Sequence, residues 1–172
     1  MAEENNPQPA ATGEGEQPQG PQFGVQRIYL KDCSFESPRS PQVFQGQWQP
    51  SINFDINTKS QNVQDDVHEV VLTLTAEAKN EDASSFLIEV QQAGIFTCKD
   101  FDDAQKEHIL AAVCPNILYP YAREIVDSLV VKGSFPALML APINFDALYQ
   151  QKKQQAQSGE AGAEPPAPES VQ

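Results

Sequence analysis

The sequence predicts an α+β domain, an antiparallel sheet covered on one face by helices. Three observations carry this expectation. Four segments before residue 100 alternate apolar and polar side chains with a period of two. Beyond Phe101 the apolar spacing changes to the three-and-four pattern of helices. Both ends of the chain lack the large apolar side chains that a core requires.

The first candidate strand, Phe23 to Glu36 (FGVQRIYLKDCSFE), is rich in β-branched and aromatic residues and stops at Ser37-Pro38. The second, Ile52 to Asn57, sets Ile52, Phe54 and Ile56 against Asn53, Asp55 and Asn57. The third, Val67 to Ala78, sets Val70, Leu72, Leu74, Ala76 and Ala78 against Glu69, Thr73, Thr75 and Glu77. The fourth, Ser85 to Thr97, points Phe86, Ile88 and Val90 inward and Leu87, Glu89 and Gln91 outward. Such alternation marks a sheet with one covered and one wet face. The first strand contains a conflict, because Ile28 and Leu30 share their parity with Asp32. A β-bulge, or burial of both faces at its start, is required.

The polar stretch AKNEDASS between the third and fourth strands suits a hairpin. The connection SPRSPQVFQGQWQPS carries three prolines, but also Val43, Phe44 and Trp48. Apolar side chains of that size in a proline-rich loop must pack, either on the domain or on a ligand. Asp102 with Gln105 spells a capping box for a short helix ending near Val113, where Cys114-Pro115-Asn116 interrupts it. A second helix spans about Leu118 to Val131, with Leu118, Tyr121, Ala122, Ile125 and Leu129 on one stripe, Pro120 in the first turn and Lys132-Gly133 at the end. This helix is apolar on more than one side, which calls for a further partner. Tyr121, Ile125, Val126, Leu129 and Val130 are the residues expected at a subunit interface, with a deeper intrachain core as the alternative. Asn144 caps a last helix that opens Phe145-Asp146-Ala147-Leu148-Tyr149.

These elements divide the chain into a disordered N-terminal tail over residues 1–22, a folded body over residues 23–149 and a mostly disordered C-terminal tail over residues 150–172. Of the net charge of −13, the first tail contributes −4 and the last −1, so −8 stays on the body. An acidic body repels nucleic acid and anionic membranes, and suits partners with positive patches. No apolar run is long enough to span or insert in a membrane, and no secretory leader opens the chain. Cys33, Cys98 and Cys114 read as buried, reduced thiols of a cytoplasmic protein.

Nothing in the chain organises chemistry. His68 lies on the apolar parity of its strand and His108 on a short helix, and both read as structural. Asp65-Asp66 and Asp102-Asp103 read as turn and cap residues. No phosphate loop, dinucleotide fingerprint or nucleophile elbow occurs, so no catalytic residue, metal or cofactor is expected.

The segments QRIYLKDCSFESP (Gln26 to Pro38), FLIEVQQAGIF (Phe86 to Phe96), CPNILYPYARE (Cys114 to Glu124) and FPALMLAPINFDALY (Phe135 to Tyr149) resemble the SecB family of bacterial protein-export chaperones. The resemblance spans nearly the whole body in the family's order and spacing. Tyr119 stands where Phe is common and Ala93 where Gly is common. It implies a four-stranded antiparallel sheet with helices on one face, assembled as a dimer of dimers. It also implies an ATP-independent chaperone that keeps precursors unfolded and delivers them to SecA, the translocation ATPase.

By the same resemblance Asp32, Glu36, Leu87 and Glu89 fall where the family meets SecA's basic tail, and clients bind in long apolar grooves. Val43, Phe44, Trp48, Leu138, Leu140, Phe145 and Leu148 are the expected groove residues. Lacking a motor, such a chaperone depends on its ATP-hydrolysing partner for client release. Three other readings stand beside this one: a SecB-like chaperone dedicated to one partner such as a toxin–antitoxin system, an enzyme with a pocket under the Trp48 loop, and a purely structural oligomer.

Overall fold

The computed structural model describes residues 20–80 and 83–160, with side chains through residue 156. The expected N-terminal tail lies outside the described residues up to residue 19, as do residues 161–172 of the C-terminal one. Strands β1 (Gln22–Glu36), β2 (Ser51–Gln64), β3 (Val67–Asn80) and β4 (Ala83–Lys99) form one antiparallel sheet in the order β1-β4-β3-β2. The α+β, four-stranded antiparallel expectation holds. The inner face of β3 and β4 buries Val70, Leu72, Leu74, Phe86, Ile88, Val90 and Phe96 beneath the helices.

The parity conflict in β1 resolves as a bulge. Leu30 pairs with Gln92 but Asp32 with Gln91, so Lys31 is the extra residue. Leu30 and Ile28 therefore keep the helix-covered face, while Asp32, Ser34 and Glu36 turn to the open one. A second irregularity at Gln26 precedes it.

β2 is longer than its apolar half suggests. Thr58, Ser60 and Asn62 hold the inner-face positions opposite Leu72, Val70 and His68, and the polar half continues the pairing with β3 up to an irregularity between Asn62 and Gln64. The β2–β3 turn places Asp66 at φ 58°, a left-handed position that Asp tolerates.

The helical layer is more continuous than expected. α1 (Asp103–His108) opens on the capping box, Gln105 N–H donating to Asp102 Oδ1 at 2.7 Å. A π turn over Ile109–Val113 then leads directly into α2 (Cys114–Lys132). Cys114-Pro115-Asn116 therefore does not interrupt the helix. Pro115 sits in the first turn of α2, at the junction with the π turn. Pro120 lies inside α2, past its first turn, and the carbonyl it leaves unbonded belongs to solvent-exposed Asn116.

α2 ends at Gly133, where a Cβ would stand 2.2 Å from the Phe35 ring. Glycine is there for space, since its φ is an ordinary −74°. α3 (Phe145–Glu160) is capped by Asn144, whose Oδ1 accepts from Ala147 N–H at 3.0 Å. It runs beyond the Gln150 boundary drawn from the sequence. Residues 150–156 are exposed, so the Gln, Lys and Ala side chains extend it by propensity and not by burial.

Candidate functional site

The expected groove residues fall into two groups joined by an irregular segment. The first surrounds Phe135. Its ring lies 4.9 Å from Phe86, 5.1 Å from Trp48 and 5.3 Å from Phe44, centroid to centroid, with Phe35 at 6.4 Å. A 3-10 turn, Gln42–Gln45, buries Val43 and leaves Phe44 50% exposed, while Trp48 is half-buried. Val43 is thus core, and the accessible aromatic edge consists of Phe44 and Trp48.

The second group lines an open cavity of about 570 Å³ between β2 and α3. Phe54 and Ile56 form one wall, Leu110 and Ala111 another, and Leu148 and Tyr149 a third. Phe145 also touches it but is buried by Tyr119, whose ring meets it edge-on at 5.7 Å. Between the groups, Pro136 to Ile143 runs along α2 without regular secondary structure, bending at Met139, which takes a left-handed φ of 48°. Tyr119 O–H donates to Ala141 O at 2.5 Å, Arg123 to Leu140 O at 3.3 Å, and Met139 N–H donates to Asp127 at 3.0 Å. Leu138 and Leu140 are half-buried there, and Met139 is 80% exposed. Phe135, Met139, Phe54, Ile56 and Leu110 were missed by sequence reasoning. Only the alternating Phe54 and Ile56 gave a sequence signal, and that pointed to core.

The opposite face of the sheet is open, and strand register assembles the acidic residues on it. Glu36, Leu87 and Glu77 form one row across β1, β4 and β3. Ser34, Glu89, Thr75 and Asp55 form the next, and Asp32, Gln91 and Thr73 the third. Asp32, Glu36, Leu87 and Glu89 are therefore brought together, and Asp55 and Glu77 join them. Glu77 pairs with Lys79 at 3.2 Å, and Glu89 accepts from Gln91 at 3.0 Å.

Further along the same face Glu69 is only 6% exposed. It accepts from Lys31 at 2.8 and 2.9 Å, from Gln61 at 2.6 Å and from the Tyr29 hydroxyl. The Lys31 ammonium, then the Tyr29 hydroxyl, hold its carboxyl below the ordinary value. That accepted hydrogen bond pushes Tyr29 up to about 12.

Of the expected interface residues, Val126 and Val130 are fully buried under α2, inside the chain's own core. The core stripe is Leu118, Tyr119, Ala122, Val126 and Val130, one position round the helix from the stripe expected. Tyr121 is 51% exposed, and Ile125 and Leu129 are half-buried. Tyr121 and Ile125 border a cleft of about 450 Å³ with Ile28 and Leu30, floored by buried Gln92.

Cys98 and Cys114 are buried, and desolvation pushes both thiols up, whereas Cys33 is exposed, against expectation. It occupies the edge strand β1. His108 meets Asp146 at 2.7 Å and clips α1 to α3. His68 is buried with Nε2 unbonded, and burial, ahead of the Lys106 charge, lowers its imidazole pKa from 6.5. Stability from keeping His68 neutral is present above pH 6.5 and is lost as pH falls below it, because the unfolded chain then takes the proton more readily. His68→Phe is expected to flatten that loss between about pH 7 and 5, measured as denaturant midpoints. An unchanged slope refutes the assignment. Among the described residues no helix is long and apolar enough to cross a membrane.

Comparison with known proteins gives this geometry a family. The family model described as preprotein translocase subunit SecB matches residues 16–156. A protein-export protein SecB of Pseudomonas fluorescens is 59% identical over 138 residues, covering 80% of this chain and 87% of the relative. That of Ectopseudomonas mendocina is 58% identical over 146 residues, covering 84% and 91%. Among solved structures, the SecB-like chaperone of Mycobacterium tuberculosis, in complex with a peptide from the HigA1 antitoxin, superposes with a TM-score of 0.59 at 18% identity over 70% of this chain and 90% of its own, a likeness of fold. The chain belongs to the SecB family of protein-export proteins.

Proposed function

We propose that this protein is a cytoplasmic, ATP-independent chaperone that holds precursor proteins unfolded and passes them to SecA for export. What supports the reading is accessible apolar surface at two places, the edge of Phe44 and Trp48 and the cavity at Leu148, with half-buried Leu138 and Leu140 on the segment between them; we take these as one path. Apolar burial is indifferent to residue order, so such a path accepts many clients. Its length also discriminates, because a folded protein offers no extended apolar segment to fill it.

Magnitudes decide how tightly one path can hold. Burying about 600 Å² at about 25 cal/mol/Å² yields about 15 kcal/mol. Ordering about ten client residues costs about 10–15 kcal/mol. One path alone grips weakly, and tight capture requires several paths on one particle. That requirement supports a dimer of dimers, with Tyr121, Ile125 and Leu129 facing the partner copy. The acidic rows around Leu87 then dock SecA through Asp32, Glu36, Leu87 and Glu89, leaving release to its ATP hydrolysis.

The test uses one secretory precursor in two states. Light scattering of the full chain with the denatured precursor should give a stable complex, and with the folded precursor none. Equal association with both states would sink the proposal.

A further inference from the structure

The open face of the sheet is electrically bipolar. Among the described residues, the half nearest the β3–β4 connection carries Asp32, Glu36, Asp55, Glu77 and Glu89, with Lys79 paired to Glu77. The other half carries Arg27, Lys31 and Lys59 against one carboxylate, Glu69. That carboxylate is spent. Both of its oxygens hold Lys31, and Gln61 and Tyr29 occupy what remains. Lys59, across β3 from them, makes no ion pair or hydrogen bond among the described residues. It borders a notch of about 290 Å³ with Val71 and Thr73 of β3, Gln91 of β4 and the Lys31–Glu69 pair.

We infer that this notch receives a carboxylate from the segment that docks on the acidic half. The partner element that fits carries basic residues beside an apolar one, to lie on Glu89 and Leu87, and an acidic residue set further along. Lys59 stands four residues past Asp55 on the same face of β2, roughly 13 Å at about 3.3 Å per residue. The screening length at physiological salt is about 8 Å, so the acidic half does not cancel the field of Lys59. The two halves therefore select opposite charges at a fixed separation, which orients the partner as well as attracting it.

This inference rests on the docking reading, and the experiment separates the two. Two fluorescent synthetic peptides share a Lys-Leu-Lys block and a four-residue Gly-Ser spacer; one ends in Asp-Asp, the other in Ser-Ser. On the full chain the Asp-Asp peptide should bind about two- to fivefold more tightly, the range of one exposed ion pair. K59E should erase or reverse that gain, and K59Q should erase it, while the Ser-Ser peptide binds both variants at least as well as before. No advantage for Asp-Asp on the native chain, or an advantage that survives K59E, overturns the inference. E89K should weaken both peptides. If it weakens neither, the docking reading itself falls and the inference with it.

Discussion

Replacing Val126 with aspartate should leave no folded protein, whereas Tyr121→Asp should leave a folded one of smaller mass. The two residues share α2, five positions apart. Val126 has no solvent exposure and packs in the core between helix and sheet. An aspartate there is an unpaired charge without a counterion, and the cost exceeds about 4 kcal/mol, enough to unfold a marginally stable domain. Tyr121 is 51% exposed at the cleft with Leu30. A charge there is solvated in the lone subunit but not in a subunit contact. Circular dichroism and light scattering on the two variants separate core from interface. A native-mass Tyr121→Asp particle would remove that face from the assembly.

Phe86→Ala should cost about 3–5 kcal/mol of stability, the range for deleting a large buried aromatic. Phe86 is fully buried and stacks with Phe35, Trp48 and Phe135 at 4.9–6.3 Å, so three rings lose a neighbour at once. Phe44→Ala removes a half-exposed ring from the same cluster. It should shift stability by about 1 kcal/mol or less, and weaken capture of a denatured precursor. Denaturant melts with client titrations on both variants provide the check. A Phe44→Ala chain that binds as well as the original would place the grip elsewhere.

The contrast between these positions shows where sequence reading reaches. The alternation in β3 and β4 was legible because both strands are central and one face of each is wholly covered. The bulge in β1 announced itself as a contradiction of parity at Asp32, and only pairing with β4 located it at Lys31. The second half of β2 stayed hidden because Thr58, Ser60 and Asn62 occupy inner-face positions without being apolar.

In α2 two apolar stripes lie side by side, and residue spacing cannot say which one meets the sheet. That is why Val126 and Val130 were placed at an interface. Pro115 read as a break and Pro120 as a first-turn residue because a sequence does not reveal whether the stranded carbonyl has water to face. That Leu87 and Glu89 share the open face was legible from their alternation, and Asp32 and Glu36 were set beside them by the resemblance. Asp55 and Glu77 entered only through register across β2 and β3. Phe135 could not be read as the hub of the aromatic cluster, since its four ring partners lie on three separate stretches of chain.

Three hydrogen bonds fasten the segment Pro136 to Ile143 to α2, and each of them ends on its main chain. Tyr119, Arg123 and Asp127 stand at successive helical steps of four, and they grip Ala141, Leu140 and Met139 in reverse order. The strip is therefore hung from three hooks that take no notice of which side chains it wears. Exposed Met139 can be exchanged for another unbranched side chain without shifting the strip, although its left-handed φ disfavours a β-branched one, whereas losing a hook would let the strip sag.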